Sequence, residues 1–273
     1  MPYFELPDGV PMYYEDHGTG RPVVLIHGWT MNSTFWAQNV PALAAGNRVI
    51  NLDLRGHGAS GKTDDGHTLA QYARDIRSLL DHLSLDDVCL VGWSMGTAVI
   101  LAYIQQFDCE RLHSVVFVDQ SPRFLDAPGW DFPLQGGYSQ SDLAVFVQAV
   151  KYARPSVIKP FIAACFADTP PPEVIDAVYA ETAQTPTAAA CAVWYDMAFA
   201  DFRQVLPEVT VPALLIYGAQ SKIFPGPLDE WLAAQLPNAK AVRFEHSGHA
   251  PFSEEPERFN EALAEFLRDG EIS

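Results

Sequence analysis

The sequence predicts an α/β protein: a mostly parallel twisted sheet with helices on both faces, interrupted by a helical insertion. Three observations predict it. Short apolar runs alternate with longer helical patterns. Most of these runs are continuously apolar, as expected for strands covered on two faces. The rhythm then stops between about residues 122 and 207. Taken in order, Tyr13-Tyr14-Glu15 mixes polarity and reads as an antiparallel edge, whereas Val23-Val24-Leu25-Ile26 and Val49-Ile50-Asn51-Leu52 read as interior strands. From Thr68 to Leu83, the residues Leu69, Tyr72, Ala73, Ile76, Leu80 and Leu83 recur at spacings of three and four, the stripe of an amphipathic helix. Val88-Cys89-Leu90-Val91 is the next strand. Ser94 to Phe107 follows it, rich in Ala, Ile, Leu and Met and free of proline, and reads as a buried helix. Val115-Val116-Phe117-Val118, Ala213-Leu214-Leu215-Ile216-Tyr217 and Ala241-Val242-Arg243-Phe244 supply three more strands. A helix over Pro256 to Arg268 closes the chain, with Phe259, Leu263, Phe266 and Leu267 as its stripe.

The insertion opens with turns at Pro128-Gly129 and Gly136-Gly137, then carries short helical segments bearing Phe146, Tyr152, Phe161, Phe166, Tyr179, Trp194 and Phe199. It is far too long for a plain connection. The expected division is therefore a core of residues 1–121 and 208–273 and a helical cap of residues 122–207. Most of its rings are expected to hold the cap together, and some to face a cavity between cap and core.

At 273 residues and 48% hydrophobic composition, the chain can bury a sizeable core without metals or disulfides. Its 17 Lys+Arg against 34 Asp+Glu give a net charge of −17, which repels phosphate backbones and anionic lipid. Nucleic acid and membrane surfaces are thus excluded as expected partners. The four cysteines, Cys89, Cys109, Cys165 and Cys191, show no C-x-x-C spacing and are read as free thiols in a reducing compartment. Met1-Pro2-Tyr3-Phe4-Glu5 has no basic segment leading into an apolar run, and no stretch reaches the roughly 18 apolar residues of a membrane span. The expected location is the cytoplasm.

The strongest chemical signal is Gly92-Trp93-Ser94-Met95-Gly96, a G-x-S-x-G between a predicted strand and a predicted helix. A side chain thrust out of so sharp a turn needs a strained backbone at the serine, and side chains two residues away would collide. A serine hydroxyl needs a base, and among eight histidines His249, in the loop after the last predicted strand, is best placed. His246 lies nearby, but no further ligand at a recognisable spacing completes a metal set, so no metal is expected. His57, in the turn Arg55-Gly56-His57-Gly58, reads as structural. An oxyanion needs two amide donors: Met95 after the nucleophile, and Trp29 in His27-Gly28-Trp29, where Gly28 permits the turn.

These motifs, with Asp53-Leu54-Arg55-Gly56-His57-Gly58-Ala59-Ser60, Tyr217-Gly218 and Gly248-His249 before Pro251, resemble those of the α/β-hydrolase superfamily, in its capped branch, over essentially the whole chain. The resemblance implies a Ser-acid-His triad in that chain order, an oxyanion hole of two amides and no cofactor. It also implies acyl chemistry, since a serine stands where epoxide hydrolases and haloalkane dehalogenases carry an aspartate. One element departs from the pattern. Members place the acid in a G-x-x-D after the Tyr217-Gly218 strand, and this chain reads Gly218-Ala219-Gln220-Ser221. Ser221 cannot carry the charge, although it could accept a hydrogen bond from the imidazole. Asp119, at the end of the preceding strand, lies at the carboxyl edge where active residues collect and is assigned the acid role. Asp196, Asp201 or a Ser-His dyad are the alternatives. The expected activity is hydrolysis of a small, mostly apolar carboxylic ester or lactone through an acyl-enzyme. Alternatives are hydrolysis of carbon–carbon bonds in ring-cleavage products, which would call on Arg123, Arg154 or Arg203 for a substrate carboxylate, and a ligand receptor on a disabled hydrolase fold. A perhydrolase or haloperoxidase side activity stays open, and the oligomeric state is not fixed by sequence.

Overall fold

The computed structural model describes residues 3–269. Eight strands form one sheet in the order β1-β2-β4-β3-β5-β6-β7-β8. They are β1 (Tyr3–Glu5), β2 (Pro11–His17), β3 (Arg21–Ile26), β4 (Asn47–Leu52), β5 (Val88–Trp93), β6 (Leu112–Val118), β7 (Ala213–Gly218) and β8 (Ala239–Phe244). From β4 to β8 across the sheet all pairings are parallel, while β1 and β2 form the antiparallel edge. The helices are α1 (Val40–Ala44), α2 (Leu69–His82), α3 (Met95–Phe107), α4 (Gln140–Ala164), α5 (Pro172–Thr182), α6 (Thr187–Phe199), α7 (Leu228–Gln235), α8 (Pro251–Glu254) and α9 (Pro256–Asp269).

Alternation along each strand divides the core into two layers. Val24, Ile26, Leu90 and Val115 pack against α2, α3 and α7 through Leu79, Val99 and Leu232, and Val23, Leu25, Val91 and Val116 pack against α1 and α9 through Leu43, Phe259 and Leu263. Helices α4, α5 and α6 all fall between β6 and β7. The expected short segments there include one long helix, α4, broken in its middle at Ala153 (φ −144°, ψ 39°). Pro155, two residues on, cannot donate to the helical ladder and its ring crowds the carbonyl four residues back. Among the described residues, no helix is long and apolar enough to cross a membrane.

The strand order positions the site. β3 has β4 on one side and β5 on the other. The chain thus winds outward in opposite directions from the gap between β3 and β5, and ligands bind at the carboxyl ends of strands beside such a reversal. The segment His27-Gly28-Trp29 leaves β3 there, and Ser94 leaves β5 there.

Candidate active site

Ser94 joins β5 to α3 with φ +53° and ψ −120°, a conformation that costs on the order of 1–3 kcal/mol and persists only where the surroundings impose it. The surroundings are two glycines in contact. A Cβ on Gly92 would lie 2.4 Å from the Gly96 carbonyl carbon, and one on Gly96 would lie 2.3 Å from the Ile26 oxygen. The first turn of α3 can therefore press against the ends of β3 and β5, and Thr97 fixes it there by donating from Oγ1 to Gly92 O at 2.6 Å.

The loop after β3 is held beside Ser94. A Cβ on Gly28 would be 3.4 Å from that of Ser94. The His27 ring sets the loop's orientation: Nδ1–H donates to Gly28 O at 2.8 Å, while Nε2 accepts from Leu54 N at 3.0 Å. Because the peptide is planar and trans, fixing the Gly28 carbonyl aims the Trp29 N–H the opposite way. Among the described residues neither Trp29 N–H nor Met95 N–H has a protein acceptor. The turn carrying Leu54 is anchored in its own right. Asp53 accepts from Ser33 N and Ala59 N, both at 2.6 Å, and Arg55 forms a two-pronged pair with buried Asp75 at 2.7 and 2.8 Å. His57 is fully buried, its Nδ1 donating to Arg55 O at 3.0 Å.

His249 follows β8. Its Nδ1–H donates to Asp119 Oδ1 at 2.9 Å, its N–H to Cys165 O at 2.8 Å, and its carbonyl accepts from Trp93 Nε1 at 2.7 Å. Asp119, fully buried at the end of β6 with φ +44°, also accepts from Gly218 N at 3.1 Å on Oδ2 and from Ser221 Oγ at 2.9 Å on Oδ1. Ser221, which could have accepted from the imidazole, donates to the carboxylate, and its own oxygen accepts from Phe224 N at 3.1 Å. The alternative acids are engaged elsewhere, Asp196 with Leu69 N at 2.7 Å and Asp201 with Arg123 and Arg203 at 2.7 and 2.8 Å. Those arginines hold Asp201 down to about 2. Arg154 is spent on the carbonyls of Thr182 and Thr185 at the end of α5.

Glu254 was not singled out by sequence reasoning. From α8 it accepts Gly248 N at 2.8 Å and Ala250 N at 3.4 Å, bracketing His249, and Ala167 N of the insertion at 2.7 Å. Burial raises its carboxyl, and those amides offset the rise in part. The only sequence signal was an acidic residue five positions after the histidine, which reads as an ordinary surface helical glutamate.

Ser94 and His249 open onto one pocket, walled by Trp29, Met31, Ile223 and Phe224 from the core and by Phe124, Leu134, Phe161 and Trp194 from the insertion. Among the described residues, no Asp, Glu, Lys or Arg side chain lines it. Of the insertion's aromatic rings, Trp194 and Phe161 thus face the cavity, while Tyr152 is 84% exposed. Cys165 also borders the pocket, but burial pushes its thiol well up, so it stays protonated and is no rival nucleophile. All four cysteines are free.

A G-x-S-x-G elbow at the switch point of a mostly parallel sheet defines a hydrolase class, and sequence comparison agrees. The model of the alpha/beta hydrolase family matches residues 23–262, and the chain belongs to that family. It is 33% identical, over 87% of its length and 94% of the relative's, to a pimeloyl-[acyl-carrier protein] methyl ester esterase of Aromatoleum aromaticum. It is 31% identical, over 98% and 99%, to the non-heme chloroperoxidase CPO-A1 of Kitasatospora aureofaciens. Among solved structures it resembles the esterase EaEST from Exiguobacterium antarcticum, with a TM-score of 0.90 at 27% identity, covering 97% of this chain and 98% of that one.

Proposed function

We propose that this hydrolase is a serine carboxylic ester hydrolase acting on a small, mostly uncharged ester or lactone. The observation that carries the reading is that His249, hydrogen-bonded to Asp119, lines the same pocket as the strained Ser94. With His249 Nδ1 committed to Asp119, Nε2 is the nitrogen left to take the proton from Ser94 Oγ as that oxygen attacks the carbonyl carbon. The carbonyl electrons move to oxygen, which receives the N–H groups of Trp29 and Met95 at the positive end of α3. Collapse expels the alcohol, protonated by His249, and leaves an acyl-enzyme. Water, deprotonated by the same imidazole, then releases the acid. Asp119 keeps the tautomer and steadies the imidazolium in both halves.

In this reading residues 122–207 are the cap and supply half the pocket wall, and the rest of the chain is the core. The relatives' names point the same way in part: one is a methyl ester esterase, and a haloperoxidase-type side activity would follow if hydrogen peroxide replaced water on the acyl-enzyme. The carbon–carbon hydrolase reading loses ground because Arg123, Arg154 and Arg203 are all paired away from the pocket. Turnover of p-nitrophenyl butyrate tests the proposal. Release by the wild-type protein and a fall to background in Ser94→Ala are expected. Tight ligand binding with no release would favour the receptor reading.

A further inference from the structure

We propose that the catalytic pocket continues into a second site, a cleft between insertion and core that takes one extended, unbranched apolar arm of the ester. This rests on the esterase reading and narrows its substrate class. The free space at Ser94 is only about 10 Å³, roughly what one water needs. An ester must extend on both sides of the attacked carbon, so at least one wall has to yield. The wall of Phe124, Leu134, Ile223 and Trp194 is packed solid, each residue at most 3% exposed.

The opposite wall is a partition one residue thick. Met31, Trp93 and Cys165 face the pocket on one side and, on the other, a cleft of about 230 Å³. Two of the three are fixed. Trp93 is pinned by its bond to His249 O and packs edge-on against Phe252 at 4.8 Å, and Cys165 caps α4 with its carbonyl held by His249 N. Met31 is buried in the core, and among the described residues its hydrogen bonding is confined to its backbone, N–H to Gly28 O at 3.1 Å. Its unbranched thioether side chain is the most adaptable of the three and has the alternative rotamers with which to swing aside. Met31 is therefore the gate.

Beyond it the cleft grades from dry to wet. Ile162, Ala250 and Phe252 are buried at its inner end, and Thr34, Gln38 and Val174 are exposed at its mouth. Among the described residues, no charged side chain lines it. A charged arm would lose its hydration there without a partner, whereas an alkyl chain gains about three- to fourfold per methylene removed from water. Because the mouth opens to solvent, an arm longer than the cleft runs out into water, so the gain should level off and not reverse.

The test compares kcat/KM for p-nitrophenyl esters from acetate to decanoate and for alkyl acetates from methyl to octyl. In the wild-type protein one series should rise at least tenfold and then plateau. Val178→Trp, which fills the cleft from α5, should cut the long-to-short ratio at least fivefold. An unchanged ratio in a variant with an unaltered melting temperature overturns the cleft, as does a flat wild-type profile with good turnover of short esters. Should Val178→Trp fail to fold, Val174→Trp at the mouth, where the native residue is 41% exposed, carries the same comparison. Failure of the wild-type protein to hydrolyse any ester would instead sink the esterase reading, and this inference with it.

Discussion

Asp119 Oδ1 accepts two hydrogen bonds at once, from His249 Nδ1 and from Ser221 Oγ, both at 2.9 Å. The serine at the family's usual acid position thus donates to the carboxylate for which the acid role is proposed. The two residues should respond very differently to substitution. Asp119→Asn removes the charge that holds the imidazole, and in a Ser-His-Asp triad the amide can cost about 10⁴ in turnover; at least a hundredfold loss of ester hydrolysis is expected. Ser221→Ala removes one donor and leaves the carboxylate bonded to Gly218 N and His249. Its loss should stay within about tenfold, near the weight of a single hydrogen bond. Steady-state kinetics on one chromogenic ester compares the two, and a reversed order would move the acid role to another residue. Glu254→Gln has a different expected signature. A glutamine offers one acceptor oxygen where the carboxylate uses two, and its NH₂ would face an amide N–H, so stability should fall by about 1–3 kcal/mol in urea unfolding. The Asp119–His249 contact was legible in sequence because a motif lacked its carboxylate and the end of the preceding strand offered one. Glu254 was not, because its partners at residues 167, 248 and 250 meet only after the insertion has docked on the core.

The interior strands were legible because burial on both faces forces a continuous apolar run, and Val23–Ile26, Val88–Val91 and Val115–Val118 all fall inside observed strands. The edge strand β1 was not, since three residues with one buried side chain leave no pattern to read. Helix α7 was missed for a related reason. It buries Leu228 and Leu232 over eight residues, too little to outweigh the turn signals before it. The elbow between β5 and α3 was legible from its glycines, and it makes a sharp prediction about how this element is built. Gly96→Ala would force a methyl group against Ile26 O, so β3 and α3 must separate and the loop carrying Trp29 after β3 must shift with them. Loss of folded protein, or destabilisation above about 3 kcal/mol, is expected for a backbone clash of this kind. Gly46→Ala is the matched control: no atom lies within 4 Å of its added Cβ and its backbone is not in the left-handed region. It should change stability by no more than about 0.5 kcal/mol. Equal melting temperatures for the two variants would contradict the close approach of strand and helix.

Across the whole molecule, burial of two histidines and arginine pairing of one carboxylate tie stability to pH in two separate windows. His27 and His57 are both fully buried, with ring centroids 5.0 Å apart. Burial lowers both below the ordinary value of 6.5; Asp53 offsets part of the shift for His27, and the neighbouring His27 adds to it for His57. A histidine depressed in the folded state stays neutral there while the unfolded chain takes up a proton. The unfolded state therefore binds more protons below 6.5, and stability is full above that pH and declines as pH falls toward the folded-state values. Protonating His27 Nε2 would also abolish its acceptance from Leu54 N, while Nδ1–H would still donate to Gly28 O, so loss of stability should begin with the release of the Leu54 turn. The second window belongs to the base of the insertion. Arg203 and Arg123 depress Asp201 from 3.8 to about 2, so its contribution is complete above pH 3.8 and disappears as pH falls toward about 2. Urea unfolding from pH 8 to 5 should show the midpoint falling steadily below about 6.5. His57→Gln, which can still donate to Arg55 O, should reduce that slope while leaving the lower window in place. A midpoint unchanged between pH 7 and 5 would mean that the two imidazoles are not held neutral by the fold, and the mounting of the Gly28-Trp29 loop on a neutral His27 would lose its physical basis.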